Sequence, residues 1–139
     1  MTECAFCAIV DGAQPADLVL DEAEFIGFLD NRPVFIGHTL LVPRRHFDTL
    51  EDLPDELAAN LAITARRLAI AVRVGLDAQG TFVAMNNTIS QSVPHLHVHV
   101  VPRSKGDGLR GFFWPRTRYD DDAHRLRVGS QIANALPTG

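Results

Sequence analysis

Short apolar segments separated by turn residues recur along the chain, and this pattern predicts five strands. An acidic turn at 21–24 separates the first two segments, and Pro43 and Pro102 end the third and the fifth. The predicted strands are Leu18–Leu20, Phe25–Leu29, Thr39–Val42, Thr81–Met85 and His95–Val101.

A spacing of three and four residues between apolar positions predicts one long helix in the middle of the chain. Pro54 suits the first turn, Asp55 and Glu56 favour the positive end of the helix dipole, and Gly75 is a plausible C-cap. The apolar positions of this helix are Leu57, Leu61, Ala65, Leu68 and Val72.

One or two shorter helices complete the predicted fold, a final one from near Asp120 to just before Pro137 and, as the second, Cys4–Val10. Adjacent strand pairs lack a crossover, so we expect an α+β fold with an antiparallel five-stranded sheet. Neither a repeat nor a linker interrupts the sequence. We therefore expect residues 1–139 to form one domain, with a C-terminal extension from about residue 104 that includes the aromatic segment 111–115.

The composition narrows the class of partner. The chain has 139 residues, of which 46% are hydrophobic and 22% charged, and this suits one globular core. A formal net charge of −4 disfavours a nucleic-acid polymer as partner, because such proteins usually carry a basic excess. The sequence contains no apolar run of the roughly 20 residues that span a membrane, and its start lacks the features of a secretory signal. We therefore expect a cytoplasmic protein without a disulfide.

Three of the six histidines fall within the run His95-Leu96-His97-Val98-His99. Side chains of a strand alternate between faces, so the histidines share one face at steps of roughly 6.6 Å. We expect the apolar face to pack on the core and the imidazoles to line a surface. Two alternatives explain the same run. One is an edge strand that carries polar residues outward, and the other is a zinc site in which all three imidazoles are ligands. The span of roughly 13 Å disfavours that zinc site.

Different roles for different histidines fit their chemistry better than one zinc site shared by all three. A neutral imidazole is a good nucleophile near neutral pH, because its ordinary pKa of about 6.5 leaves much of it unprotonated. Its attack on phosphorus gives a phosphoramidate that hydrolyses readily. A neighbouring histidine can stabilise the phosphoryl oxygens and the departing group.

With an apolar residue after each of the first two histidines and two after the third, the run resembles the signature of the histidine triad superfamily. The flanks agree, since Gln91-Ser92-Val93-Pro94 precedes it and Gly37–Pro43 resembles the upstream strand of that family. The resemblance covers roughly Cys4 to Arg103. It implies nucleotide hydrolases and nucleotidyl transferases that act at an α-phosphate through a covalent nucleotidyl-histidine, usually as homodimers.

The resemblance also implies roles for single residues. His97 matches the nucleophile, and His99 matches a residue near the phosphate and the leaving group. Ser92 and Gln91 match positions that hydrogen-bond the phosphate oxygens or the bridging oxygen.

Further positions match the nucleotide-binding residues of the family. Asn86 matches an asparagine on the preceding strand that contacts phosphate, with Asn87 as the alternative register. Asp30 matches a residue that holds the ribose, and a carboxylate can accept from both hydroxyls of a cis diol. A turn residue is the alternative interpretation of Asp30. A base-binding slot and ordinary core packing explain four apolar residues equally well, namely Phe6, Ile9, Phe25 and Phe28.

The spacing of Cys4 and Cys7 alone leaves a redox pair, a buried thiol and half of a metal site open. The redox alternative needs a preceding strand, which residues 1–3 cannot supply. Some bacterial members of the superfamily, and the related galactose-1-phosphate uridylyltransferases, resemble this chain in pairing C-x2-C with two histidines. Those histidines map onto His46 and His95. The resemblance thus implies a structural Zn²⁺ bound by Cys4, Cys7, His46 and His95, and it leaves the next histidine free to attack.

We therefore expect a nucleotide hydrolase that acts at the α-phosphate of a purine nucleotide conjugate, either a dinucleoside polyphosphate or an AMP phosphoramidate. A nucleotide-binding sensor or interaction module with little catalysis is one alternative. A nucleotidyl transferase or phosphorylase is another. In the extension, Arg103, Lys105 and Arg110 either attract a polyphosphate or belong to a solvated loop.

Overall fold

The computed structural model describes residues 4–109 and 115–137. Residues up to Asp107 form one compact unit, and residues from Gly108 form a second. The helices of the first unit are α1 (Ala5–Val10) and α2 (Asp55–Gly75), with a 3₁₀ turn at Leu50–Asp52. Its strands are β1 (Leu18–Asp21), β2 (Phe25–Leu29), β3 (Thr39–Pro43), β4 (Gly80–Ala84) and β5 (Val98–Arg103).

The five strands form one antiparallel sheet in the order β1-β2-β3-β5-β4. The α+β class and the five-stranded sheet predicted from the sequence are confirmed. Because β4 and β5 pair with each other and β5 also pairs with β3, the segment before β5 lies next to the end of β3.

The two faces of the sheet carry separate apolar clusters. The predicted apolar face of α2 packs on one of them, where the buried residues are Phe25, Leu41, Leu61, Ala65, Leu68, Val72, Leu96, Val98 and Val100. The short helix α1 packs on the other face, where the buried residues are Phe6, Ile26, Phe28, Leu40 and Val42. The triad lies on the α1 face.

Pro43 explains why β5 begins later than predicted. The register pairs Leu41 with Val98, which puts Pro43 opposite Leu96. Proline has no N–H to donate, so the ladder cannot extend past it. The N–H of Leu96 donates instead to the carbonyl oxygen of Phe47 at 2.7 Å, so His95 and His97 precede the strand.

Pro102 does not end β5 as predicted, and the strand continues to Arg103. Thr39, the first residue of β3, pairs with Val100, so Pro102 lies beyond that neighbour and pairs only with Thr81 of β4. A proline is tolerated in a strand where one side lacks a ladder.

Several other predicted boundaries differ from the structure by one residue. Gly75 is the last residue of α2 and Leu76 is the cap, because the chain reverses at Asp77, which adopts a φ of 53°. Strand β4 ends at Ala84, so Asn86 follows the strand and does not belong to it.

The described part of the second unit contains one helix, α3 (Asp122–Asn134), which Asp121 caps by accepting a hydrogen bond from the N–H of His124. The helix begins two residues after the predicted start and ends before Leu136, which was predicted to belong to it. Arg110 and most of the aromatic segment, Gly111–Trp114, lie outside the described residues. The organisation of both units as a single domain stays a prediction. No described helix has the length and apolarity needed to cross a membrane.

Candidate active site and metal centre

The alternation predicted for the triad is present, although its first part precedes the strand. Leu96 and Val98 belong to the cluster beneath α2, whereas the ring of His97 contacts Phe6 of α1 on the opposite face. The imidazoles do not line an open surface as expected, because His95 is fully buried and His97 is 3% exposed. Helix α1 covers them, which sequence periodicity cannot reveal.

The ring of His97 is held in one orientation. Its Nδ1 atom lies 2.8 Å from the backbone carbonyl oxygen of His95. A carbonyl only accepts, so Nδ1–H is the donor and the neutral ring carries its lone pair on Nε2. Phe6 packs edge-on against the ring with centroids 5.0 Å apart. Among the described residues, every fully buried side-chain nitrogen or oxygen has a hydrogen-bond partner. Nε2 of His97 has no such partner, so this atom is not fully buried and is accessible from the pocket that His97 lines.

His38 joins the triad, although the sequence analysis assigned it no role. Its Nε2 atom lies 3.0 Å from Nδ1 of His99, and the two ring centroids are 5.2 Å apart. His38 directly precedes β3 and is only 4% exposed. The sequence indicated only that His38 stands beside a predicted strand. Its contact with His99 depends on the pairing of β3 with β5.

Burial is the main cause that favours the neutral rings of His38 and His99. Burial, with smaller effects of His97 and His38 and against the opposite effect of Asp30, lowers the pKa of His99 to about 4. Burial likewise lowers the pKa of His38, against the opposite effect of Asp30. The carboxylate of Asp30 lies 3.7 Å from Nε2 of His38.

A pocket of about 570 Å³ opens beside His97 and His99, a volume typical of small-molecule sites. Its apolar wall includes Phe6, Ile9 and Phe28. Phe25, the fourth residue considered for a base slot, lies on the other face of the sheet in the cluster beneath α2.

Asp30 and Ser92 both line this pocket. The Oδ1 atom of Asp30 accepts a hydrogen bond from the N–H of Arg32 at 2.9 Å, so Asp30 also acts as the turn residue that the alternative interpretation proposed. The pocket thus brings together His97, His99, Asp30 and Ser92.

Three other predicted contact residues hold the loop that precedes the triad. The amide of Gln91 accepts from the N–H of Thr88 at 2.9 Å and donates to the carbonyl oxygen of Asp48 at 2.6 Å. Asn86 donates to the carbonyl oxygen of Ser90, and Asn87 accepts from the N–H of Leu50. None of the three is among the residues that line the pocket within the described part of the chain. Arg103, one of the cations considered for polyphosphate, pairs with Asp107 at 2.6 Å.

A second cluster of donor atoms lies on the other side of α1. The sulfur and nitrogen atoms of Cys4, Cys7, His46 and His95 all lie within 4.8 Å of one another. Nδ1 of His95 is 3.4 Å from the sulfur of Cys4 and 3.5 Å from that of Cys7, and Nδ1 of His46 is 3.3 Å from the sulfur of Cys7. Tetrahedral sites with sulfur and nitrogen ligands have edges of roughly 3.4–3.8 Å, and these three separations lie close to that range.

The outer ring nitrogens of both histidines have acceptors. Nε2 of His95 lies 2.8 Å from the carbonyl oxygen of Pro43, and Nε2 of His46 lies 2.7 Å from the carboxylate of Asp48. Each Nε2–H is therefore a donor, which leaves the lone pair on Nδ1 for a metal ion. Burial lowers the pKa of His95, which favours the neutral ring. Burial and the neighbouring Cys4 thiol raise the pKa of Cys7 to about 11, and a bound cation offsets this cost of ionisation.

Comparison with known proteins identifies the family. A family model for the HIT domain matches residues 11–106, which is more than half of the chain. The chain belongs to the HIT family. The matched residues contain the triad, His38 and Asp30, whereas Cys4 and Cys7 of this HIT protein precede them.

Solved structures of the HIT family share this fold. A HIT family member from Bacillus subtilis is 30% identical with a TM-score of 0.87, and the alignment covers 99% of this chain and 100% of that one. A zinc-bound histidine triad protein from Mycobacterium smegmatis is 40% identical with a TM-score of 0.74, covering 96% and 98%. A yeast relative, the adenosine 5'-monophosphoramidase HNT1 of Saccharomyces cerevisiae, is 32% identical over 86% of this chain and 74% of its own.

Proposed function

We propose that this HIT protein hydrolyses a purine nucleotide conjugate at its α-phosphate through a covalent bond to His97. The observation that carries the proposal is the hydrogen bond from Nδ1 of His97 to the carbonyl oxygen of His95, which leaves the nucleophilic lone pair on Nε2 at the pocket. An imidazole locked in this tautomer can attack without first losing a proton.

The reaction proceeds in two displacements. Nε2 of His97 forms a bond to the α-phosphorus as the bond to the leaving group breaks, and water then cleaves the phosphorus–nitrogen bond and releases the nucleotide. Over both steps water supplies hydroxide to phosphorus and a proton to the leaving group. His99 and Ser92 are the donors that we assign to the phosphate oxygens, and Asp30 is the acceptor that we assign to the ribose hydroxyls.

The proposed substrates are an AMP phosphoramidate or a dinucleoside polyphosphate. The similarity to the yeast adenosine 5'-monophosphoramidase supports the first class. The apolar wall with Phe6, Ile9 and Phe28 suits a purine ring, because a flat apolar base gains from burial against aromatic and aliphatic side chains. Asn86 and Gln91 act in this proposal by holding the loop that precedes the triad, and they contact the phosphate directly only after that loop moves.

We further propose that the cluster of Cys4, Cys7, His46 and His95 binds a structural Zn²⁺. The donor set, the separations and the similarity to a zinc-bound protein support the assignment. Bound zinc would crosslink the start of the chain to the triad segment and take no part in the chemical steps. Purified protein should contain one zinc per chain by mass spectrometry. Two freely titratable thiols without stoichiometric metal would overturn this assignment.

A homodimer is also part of the proposal. Strand β4 lies at the edge of the sheet, and a groove of about 440 Å³ between it and α2 is lined mainly by apolar residues, among them Ala62, Val83 and Met85. An apolar groove of this kind at the edge of a sheet favours packing against a second copy. Light scattering should give twice the chain mass.

We also propose a cytoplasmic location, which agrees with reduced cysteines.

Nucleotide release from a small panel tests the activity. The panel contains an AMP phosphoramidate, a diadenosine polyphosphate and a nucleotide sugar, each with and without added inorganic phosphate. We expect turnover of one substrate by the wild type and a loss on the order of 10⁴-fold or more in His97→Ala, with AMP binding retained. His124→Ala, a substitution of a histidine in the second unit, is the matched control. Tight AMP binding without any turnover would favour the sensor, and phosphate-dependent release of ADP would favour a phosphorylase.

A further inference from the structure

One short helix belongs to both the nucleotide pocket and the metal centre. Cys4 caps α1 and Cys7 lies within it, so the helix supplies both sulfur donors of the metal cluster. Phe6 and Ile9 of the same helix line the pocket beside His97. A change in the position of α1 therefore affects both sites.

The helix is too short to hold itself in place. Isolated helices shorter than about 12 residues are marginal in water, and α1 has six residues. Phe6 is its single buried residue. That ring packs edge-on against His97 and Phe28 at centroid distances of 5.0 and 5.4 Å. Ile9 and Val10 are only partly buried against the same apolar cluster. The position of α1 thus depends on a few apolar side chains and on the metal cluster.

The cluster connects α1 to two distant parts of the chain. His46 follows β3, and His95 precedes β5. The carbonyl oxygen of His95 also accepts the hydrogen bond that orients His97. An ion that joins Cys4 and Cys7 to these histidines therefore fastens the pocket wall directly to the residue that positions the nucleophile.

We propose that metal binding at Cys4, Cys7, His46 and His95 is thermodynamically coupled to nucleotide binding in the pocket through α1. A bound metal fixes α1 against the triad segment and completes the apolar wall, so each ligand raises the affinity for the other. The coupling rests on the proposed function, because it takes the pocket as a nucleotide site. Reciprocity is required by linkage, and couplings of this kind are typically about 5- to 150-fold.

Equilibrium titrations with AMP and zinc test the coupling. AMP is titrated into protein loaded with one equivalent of zinc and into chelator-stripped protein, and zinc affinity is measured against a chromophoric chelator with and without saturating AMP. We expect AMP to bind about tenfold more weakly to the stripped protein, and zinc to bind more tightly by the same factor when AMP is present. Equal AMP affinity in both forms would overturn the coupling and leave the proposed function intact. AMP binding to neither form would overturn the proposed function, and the coupling with it.

Two substitutions separate the coupling from general loss of structure. His46→Asn removes a ligand that does not line the pocket and should weaken AMP binding as much as stripping does. Asp48→Asn keeps all four ligands and weakens only the outer bond to His46, so AMP affinity should fall at limiting zinc and recover at saturating zinc. His124→Asn is the matched control and should bind AMP as the wild type does. Failure of zinc to restore AMP binding in Asp48→Asn would contradict the proposal.

Hydrogen exchange reports on α1 itself. The amide of Ala8 donates to the carbonyl oxygen of Cys4 at 3.0 Å, and the amide of Asp11 donates to that of Cys7 at 2.9 Å. We expect these amides to lose protection when zinc is removed and to regain part of it when AMP is added. Unchanged protection in the stripped protein would show that apolar packing holds the helix without metal, which would overturn the proposal.

Discussion

His38 and His99 form a directed pair, with Nε2 of His38 3.0 Å from Nδ1 of His99. The N–H of Val34 points at the other ring nitrogen of His38, Nδ1, at 3.1 Å. A backbone N–H can only donate, so the neutral ring of His38 carries its proton on Nε2 and donates it to His99. Neutral His99 in turn carries its proton on its own Nε2. A backbone group thereby sets the tautomer of a residue that lines the pocket.

Substitutions of His38 should act through His99. His38→Gln places an amide N–H near the position of the lost Nε2–H, whereas His38→Asn is too short to reach. We expect the Asn variant to lower kcat by roughly 10–100-fold with a small change in AMP affinity, and the Gln variant to retain more activity. The measurement combines kcat with the ¹⁵N chemical shifts of the His99 ring, which report its tautomer. Equal losses in both variants with an unchanged His99 tautomer would contradict this role.

Stability should fall as the solution becomes acidic. Burial lowers the pKa of His99 to about 4, whereas the unfolded chain has a value of about 6.5. Between these values the unfolded state binds more protons, so the free energy of unfolding decreases as pH falls from about 6.5 towards 4. Urea denaturation at pH 7 and pH 5 measures the difference. The pKa values of His38 and His95 are lowered as well, so part of the dependence remains without His99.

A substitution isolates the contribution of His99. His99→Gln should show a smaller difference in unfolding free energy between pH 7 and pH 5 than the wild type. His124→Gln, which changes a histidine in the second unit, should keep the wild-type difference. An unaltered pH dependence in the His99 variant would rule out this residue as a source of the acid sensitivity.

Asp30 should distinguish ribose from deoxyribose. A carboxylate that accepts from ribose hydroxyls favours AMP over 2′-deoxy-AMP by about tenfold, since hydrogen bonds to charged groups are worth on the order of 1.5–3 kcal/mol. We expect Asp30→Ala to bind both nucleotides with similar, weaker affinity. Asp17→Ala, which removes another carboxylate at the pocket, is the matched control. A preference for AMP that persists in Asp30→Ala would show that Asp30 serves only as a turn residue, through the hydrogen bond that it accepts from the N–H of Arg32.

The sequence by itself determined the class of fold, and it indicated most residues of the histidine site and of the cysteine–histidine cluster. The spacing of Leu61, Leu68 and Val72 predicted the face of α2 that packs on the sheet, because helical periodicity is a local property. The run from His95 to His99 indicated the triad, and the resemblance of that run to a family implied the cysteine and histidine ligands. These features depend on residue type and spacing, which the sequence contains directly.

Only the tertiary structure decided how these residues meet. The pairing of β3 with β5 brings His38 to His99, and Pro43 stops the ladder so that the ring of His95 turns towards Cys4 and Cys7. The same fold places α1 over the triad and buries rings that local alternation predicted to be exposed. Contacts between residues 40 to 90 positions apart depend on strand order and register. Neither is encoded in a short window of sequence, and this is why His38 was missed and why the hydrogen bonds between the Gln91 amide and the loop were not foreseen.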